Sequence, residues 1–414
     1  MSKKITLGKV VMTPKGRWST GIQYEKLDAV VHEGSMWIAV SENIDQTPSE
    51  ESEYWRIALE GIEEEETEES GIVAFLPDSF YVSPGVTLEI YNAQVCLDAD
   101  RYTFKWTCPI GSIYSRKFSV TPASTQQGTY PLALDIIDVS GETVWHKDAT
   151  LYVKKFNITG RKQVAVIGSR HADDRAWIEE INKNLCSNQQ YRFKGTLGEK
   201  DGCYHEGRTG WTTETYLTQA QAYNMDTQTV VTNAFWDGER FNWQHWIDEN
   251  TQYANAVQLF FGEEELLFFD AETVANNLLQ IVRAIRQDQG SSFPMFIVLP
   301  PCPGTQEGMA QLDHYTYEYE YFKGKTKYEI NKLFIEGAKK IYDIISASSD
   351  SYMIYFIPLT QCFDSENNYP TAEIAVNPRS TETKKVQSNP LRPTDEGYKQ
   401  MADVIFSTYA AYFG

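Results

Sequence analysis

Between residues 158 and 414, short apolar runs alternate with longer amphipathic stretches, and that alternation leaves few folds open. An apolar run of about five residues bounded by turns suits a strand buried on both faces, and strands alternating with helical stretches form a parallel sheet covered by helices. Strands are expected at residues 163–167, 228–233, 256–261, 295–299 and 353–357. AETVANNLLQIVRAIR, residues 271–286, has apolar residues at helical spacing, with Asp270 placed to cap it. A last helix is expected to begin near Asp395. The fold class of this part is α/β, and ligands of such sheets bind outside the carboxyl ends of the strands.

The preceding 157 residues read differently. Residues 71–157 carry strand-like runs at 86–91, 102–106, 130–136 and 150–153, with Ser140-Gly141 as a hairpin turn, a spacing that fits a β-sandwich. Six glutamates within residues 63–70 repel one another, so 62–70 is expected to be an extended acidic linker. Ahead of it, residues 1–61 form a small β-rich module. Its apolar residues alternate on either side of Glu33-Gly34, which reads as a β-hairpin. With residues 24–31 and 36–40, Pro48 and Tyr54-Trp55, the module resembles the small carbohydrate-binding-like modules near the amino termini of phage tail and fibre proteins, a resemblance under which Trp37 and Trp55 would stack on sugar rings; a domain this small can equally use both as core.

Composition excludes several classes of function. A net charge of -20 and a pI near 4.8 repel nucleic-acid phosphates, so no nucleic-acid partner is expected. No run of 18 or more apolar residues is present, so no membrane span is expected, and Met1-Ser2-Lys3-Lys4 leads into polar sequence without the apolar core of a signal peptide. The six cysteines are scattered without a C-x-x-C pair, which argues against zinc. Cys96 and Cys108, which share one β region, are expected to be buried thiols. No cofactor is expected.

The chemistry of the α/β region turns on Gly168-Ser169-Arg170, which ends the apolar run 164–167. With His205-Glu206-Gly207-Arg208-Thr209-Gly210-Trp211, the run AVQLFFG at 256–262 and the segment 388–403, it resembles the SGNH (GDSL-like) hydrolases, particularly those carried on bacteriophage tail and fibre proteins. The resemblance covers roughly residues 71–414. In that family the first strand ends in Gly-Asp-Ser, and the serine, which is the nucleophile, opens the next helix. The resemblance therefore places Arg170 at the nucleophile, Glu264 at the oxyanion-hole asparagine, Asn389 at the orienting aspartate and Arg392 at the catalytic histidine. Gly207 and Gly210 fall in the block that supplies an oxyanion-hole amide.

Each replacement works against acyl transfer. Arginine stays protonated above pH 12, so Arg392 cannot act as a base, and Arg170 has no nucleophilic oxygen. An oxyanion donor contributes roughly 3 to 4 kcal/mol of barrier lowering, whereas Glu264 offers an acceptor and a like charge. Ser169 is the fallback nucleophile after a one-residue shift, although His171, two residues away at a helix start, is badly directed to activate it. Arg170, Arg392, Glu263 and Glu264 are expected to form a salt-bridged plug across the former pocket. His205 and Arg208 are open to hydrogen bonding within their own loop or to ligand contact.

The resemblance implies a catalytically degenerate virion component of a tail, fibre or head decoration. It would be assembled in the host cytoplasm and partnered by other virion proteins, with host-surface carbohydrate as a candidate ligand. Fibre proteins are commonly homo-oligomers, but no heptads here fix a strand number. The alternative is an active carbohydrate esterase or deacetylase using Ser169, and an intracellular bacterial protein unrelated to phage is a third reading.

Overall fold

Apolar runs of the carboxy-terminal region assemble, in the computed structural model, into a seven-stranded sheet. Its order is Leu197–Glu199, Cys203–Gly207, Tyr191–Lys194, Lys162–Gly168, Ala256–Phe260, Met295–Leu299 and Ile354–Pro358. The structure describes residues 12–32, 35–49, 51–59, 71–157, 160–186, 190–199, 203–250, 252–313 and 317–413. The acidic run 62–70 and the Glu33-Gly34 turn lie outside the described residues.

Strand pairs in this sheet are parallel except at the edge, where Leu197–Glu199 runs antiparallel to Cys203–Gly207. Because side chains alternate across a strand, each central strand feeds two cores. Val164 and Val166 face one side with Trp177, Met401 and Ile405, whereas Ala165 and Ile167 face the other with Leu278, Ile285 and Phe334. The covering helices are Asp395–Phe413 on the first side, and Ala271–Gln289 with Lys327–Ala347 on the second. Asp270 caps its helix as expected, its carboxylate accepting from Thr273 N at 2.8 Å.

One expected strand is misplaced. Thr229–Thr232 does not join the large sheet but pairs with Gln221–Asn224 in a two-stranded antiparallel hairpin. Its β-branched residues suit a strand, but Thr229, Val230 and Thr232 are exposed, whereas a strand inside a parallel sheet is buried on both faces. Tyr191–Lys194 and Cys203–Gly207 take the sheet positions beside Lys162–Gly168 instead.

Residues 72–414 form one compact unit, and residues 1–71 another. Within the larger unit, residues 72–157 contribute two sheets. One is ordered Ser112–Ile113, Lys117–Val120, Leu88–Tyr91, and the other Ser79–Val82, Thr143–Val153, Gly128–Ile137, Thr103–Thr107. The hairpin at Ser140-Gly141 is present, with the Asp138 carboxylate accepting from the backbone N–H groups of Ser140 and Glu142. Leu88, Ile90, Phe118, Leu134 and Leu151 share one core with Met401 and Tyr409 of the last helix.

The amino-terminal unit holds a four-stranded sheet ordered Thr13–Arg17, Asp28–His32, Ser35–Ala39, Trp55–Leu59, and its central pair is the expected antiparallel hairpin. The sugar-stacking role for its tryptophans is not met. Trp55 is 0% exposed and Trp37 7%, packed with Tyr24, Val30 and Ala39. Their indole N–H groups donate inward, from Trp55 to Gln46 O at 2.8 Å and from Trp37 to His32 O at 3.2 Å. A module this small needs both rings to make a core at all. All six cysteines are free thiols; Cys96 is buried and Cys108 half-buried. No helix among the described residues is long and apolar enough to cross a membrane.

Candidate functional site

The strand Lys162–Gly168 delivers Ser169 and Arg170 to the carboxyl edge of the sheet. Gly168 is required there because a Cβ would stand 2.1 Å from Phe260 O. That close approach lets Ser169 N donate to Phe260 O at 3.1 Å, and Arg208 N donate to Gly168 O at 3.0 Å. Three chain segments are thereby fastened around one point.

At that point stands the Glu264 carboxylate. One oxygen accepts from Arg170 Nη2 at 2.7 Å and Arg170 Nε at 3.1 Å. The other accepts from Ser169 Oγ at 2.8 Å and Gly210 N at 2.9 Å. Arg170 is 1% exposed and Glu264 3%, so this is a fully buried ion pair with two neutral donors completing it. Gly210 adopts a positive φ of 87°, and a side chain there would strike Met225. The expectation that Arg170 pairs with a glutamate holds.

The rest of the expected plug is arranged otherwise. Glu263 accepts from His171 N at 3.2 Å, while its second oxygen is buried and meets no hydrogen-bond partner. Burial, and then the neighbouring Glu264 charge, push the Glu263 carboxyl up to about 8, which favours its uncharged form at neutral pH. Glu265, pushed up to about 7 mainly by burial, accepts from Thr213 N and Thr213 Oγ1 at the start of the helix Thr213–Thr218. Arg392 pairs with Asp226 in the turn of the hairpin formed by Gln221–Asn224 and Thr229–Thr232. Its backbone is turned by Asn389, whose side-chain oxygen accepts from Leu391 N at 2.9 Å and Arg392 N at 3.1 Å. Asn389 thus closes a local turn.

Histidine chemistry is similarly absorbed. His171 is buried, and desolvation followed by the charges of Arg170 and Arg392 pushes it down to about 3. Its Nδ1 lies 3.5 Å from Tyr398 OH, and the Ser169 hydroxyl points to Glu264 instead. His205, pushed down to about 4 by burial and Arg208, accepts from Gly207 N through Nδ1 at 3.2 Å. The Arg208 guanidinium pairs with Glu206 at 3.0 Å and lies 4.9 Å over the Trp211 ring. These contacts favour the loop-internal reading of His205 and Arg208 over ligand contact, since both residues are buried. Gly207 and Gly210 spend their amide protons on internal acceptors.

Several members of this site were not singled out in the sequence. Glu206, inside the His205–Trp211 block, also accepts from Trp246 Nε1 at 2.7 Å and Thr196 N at 2.6 Å. Asp226 accepts from Thr209 Oγ1 at 2.6 Å as well as from Arg392. Asp226 is 166 residues from Arg392, and nothing local marks the pair. Among the described residues, no group of three or more His, Cys, Asp or Glu side chains is placed to hold a metal ion.

The hairpin is held over Gly210 by Met225, by Asp226 and by Trp211 Nε1, which donates to Tyr223 O at 3.1 Å. Asp226→Ala is expected to speed amide hydrogen exchange across residues 221–232 and to cost about 1–3 kcal/mol of global stability, little of it from the partly exposed Arg392 pair and most from the buried Thr209 hydroxyl, which loses this acceptor. Unchanged exchange in the hairpin would show that the aspartate does not hold it.

No family model matches the chain, and no curated protein matches it. Among solved structures, a Streptococcus pneumonia protein described as a platelet activating factor aligns at 11% identity and a TM-score of 0.34, covering 62% of this chain and 86% of its own. A salicylyl-acyltransferase from a tetracycline biosynthetic pathway aligns at 11% identity and a TM-score of 0.29, covering 80% of this chain and 74% of its own. The fold is mixed α/β, with several sheets, one of them largely parallel, and flanking helices.

Proposed function

We propose that this chain is a non-hydrolytic structural or adhesion component of a bacteriophage particle. On this reading residues 158–414 are an SGNH-hydrolase-like domain whose catalytic pocket is filled by its own side chains, and residues 71–157 a β-sandwich packed against it. The observation that carries the loss of catalysis is the Glu264 carboxylate, which takes hydrogen bonds from Arg170, Ser169 and Gly210. In an acyl-transfer enzyme such donors must stay open for the anion that forms during reaction. Here they are permanently occupied by an anion of the protein itself. Other virion proteins, and further copies of this chain, are the partners this role requires.

One contact favours the esterase alternative, the 2.8 Å hydrogen bond from Ser169 Oγ to a carboxylate. Two facts weigh against it. Ser169 is buried, and the carboxylate it meets is already engaged by Arg170. The decisive measurement is hydrolysis of p-nitrophenyl acetate and of acetylated polysaccharides by the full chain. The expected result is a rate equal to that of the heat-denatured protein. Turnover that disappears in Ser169→Ala would overturn the proposal and establish the serine as a nucleophile.

A further inference from the structure

A cleft of about 810 Å³ opens in the larger unit, away from the sealed cluster, and its walls come from three places in the chain. Residues 91–94, 99–100 and 102–104 form one side, residues 113–116 a second, and Asp364 with Glu366 the third. Its volume lies within the roughly 300–1,000 Å³ usual for small-ligand sites.

The lining has two chemical components. Aromatic and aliphatic surface is supplied by Tyr102, Phe104, Ile113 and Tyr114, of which Ile113 is 57% and Tyr114 55% exposed. Exposed rings beside a concavity leave flat apolar faces available for stacking. Polar groups surround them. Arg116 bonds Glu366 at 2.5 Å and Asp364 at 3.5 Å, which fixes the third wall, and Asp100 is exposed on the first. Gln94, 3% exposed, donates to Ser365 Oγ while its side-chain oxygen is buried and meets no hydrogen-bond partner.

Three carboxylates against one guanidinium make the cleft acidic, in a chain of net charge -20. Polyanions are therefore disfavoured. Flat rings flanked by carboxylates, an amide and hydroxyls match a ligand with apolar faces and hydroxyl donors on its rim. From this juxtaposition we propose that the cleft is a binding site for a neutral saccharide, with Tyr114 as the stacking platform and Asp100 as a hydroxyl acceptor. The site shares no residue with the Arg170–Glu264 cluster, so it stands whether or not the chain hydrolyses esters.

Saturation-transfer NMR and calorimetric titration of the full chain test this with four probes: maltotriose, cellotriose, chitotriose and the anionic trigalacturonate. Trilysine serves as a cationic control. At least one neutral trisaccharide should bind, trigalacturonate should not, and Tyr114→Ala should weaken binding about tenfold. Asp100→Ala should weaken it by a smaller factor. Both positions are exposed, and unchanged near-ultraviolet circular dichroism would establish that the variants fold. The proposal is overturned if no neutral trisaccharide binds at millimolar concentration, if trigalacturonate or trilysine is preferred, or if binding is indifferent to both substitutions.

Discussion

Glu264→Ala is expected to lower the unfolding free energy by about 3–5 kcal/mol, the usual cost of removing one partner from a buried ion pair. The loss follows from what Glu264 accepts: the buried Arg170 guanidinium, the Ser169 hydroxyl and the Gly210 amide all lose this acceptor. Glu264→Gln should cost less, because the amide oxygen still accepts. The double variant Arg170→Met, Glu264→Leu should recover most of the loss, since apolar replacement of a buried pair is often neutral or stabilising. Urea denaturation of the four proteins measures all of this. A penalty below about 1 kcal/mol for Glu264→Ala would mean that the pair is solvated, contrary to its burial.

The second large effect is a fall in stability as pH rises from 6.5 to 8. Glu263 is held up to about 8 and Glu265 to about 7, both above the ordinary glutamate value of 4.5. A carboxyl whose pKa is raised on folding keeps a proton that the unfolded chain has lost, so its contribution is complete at low pH and disappears as pH passes the folded value. Asp403, pushed up to about 7 by burial, acts in the same direction. His171 and His205, held down to about 3 and about 4, have the opposite sign, but they act below their unfolded value of 6.5 and are neutral in both states above it. Lys327, pushed down to about 8, raises stability only above the window. Glu263→Gln should therefore flatten the decline between pH 6.5 and 8 by up to about 1.4 kcal/mol per pH unit. If the variant keeps the wild-type slope, Glu263 is ionised in the folded protein and the arrangement around it is different.

Central strands were legible because Val164–Gly168, Ala256–Phe260 and Met295–Leu299 are buried on both faces and so read as unbroken apolar runs. Tyr191–Lys194 escaped notice since its Tyr-Arg-Phe-Lys pattern alternates, while Thr229–Thr232 drew attention by β-branching that serves an exposed hairpin. At the site, the chain announced charges of both signs near the strand ends. It did not announce their pairing, because Arg170 and Glu264 are 94 residues apart and Arg392 pairs with Asp226 in a turn that carries no motif. Protonation of Glu263 was equally hidden, being a property of its surroundings and not of its type. The saccharide cleft draws on residues from 91 to 366, none of them notable singly.

Residue 157 looks like a border in the amino-acid sequence, yet the folded protein has no border there. Ser83 N donates to Ser407 Oγ, Gln94 to Ser365 and Tyr342 OH to Asp78, and the strands on one side of position 157 share their core with the final helix on the other. A part whose interior is completed by another part cannot be exchanged between lineages by itself. Residues 72–414 should therefore be inherited and recombined whole, and a shuffled gene that joins at position 157 should yield two insoluble halves. The division compatible with module exchange falls between residues 71 and 72, since the amino-terminal unit keeps its own small core of Tyr24, Val30, Trp37, Ala39 and Trp55.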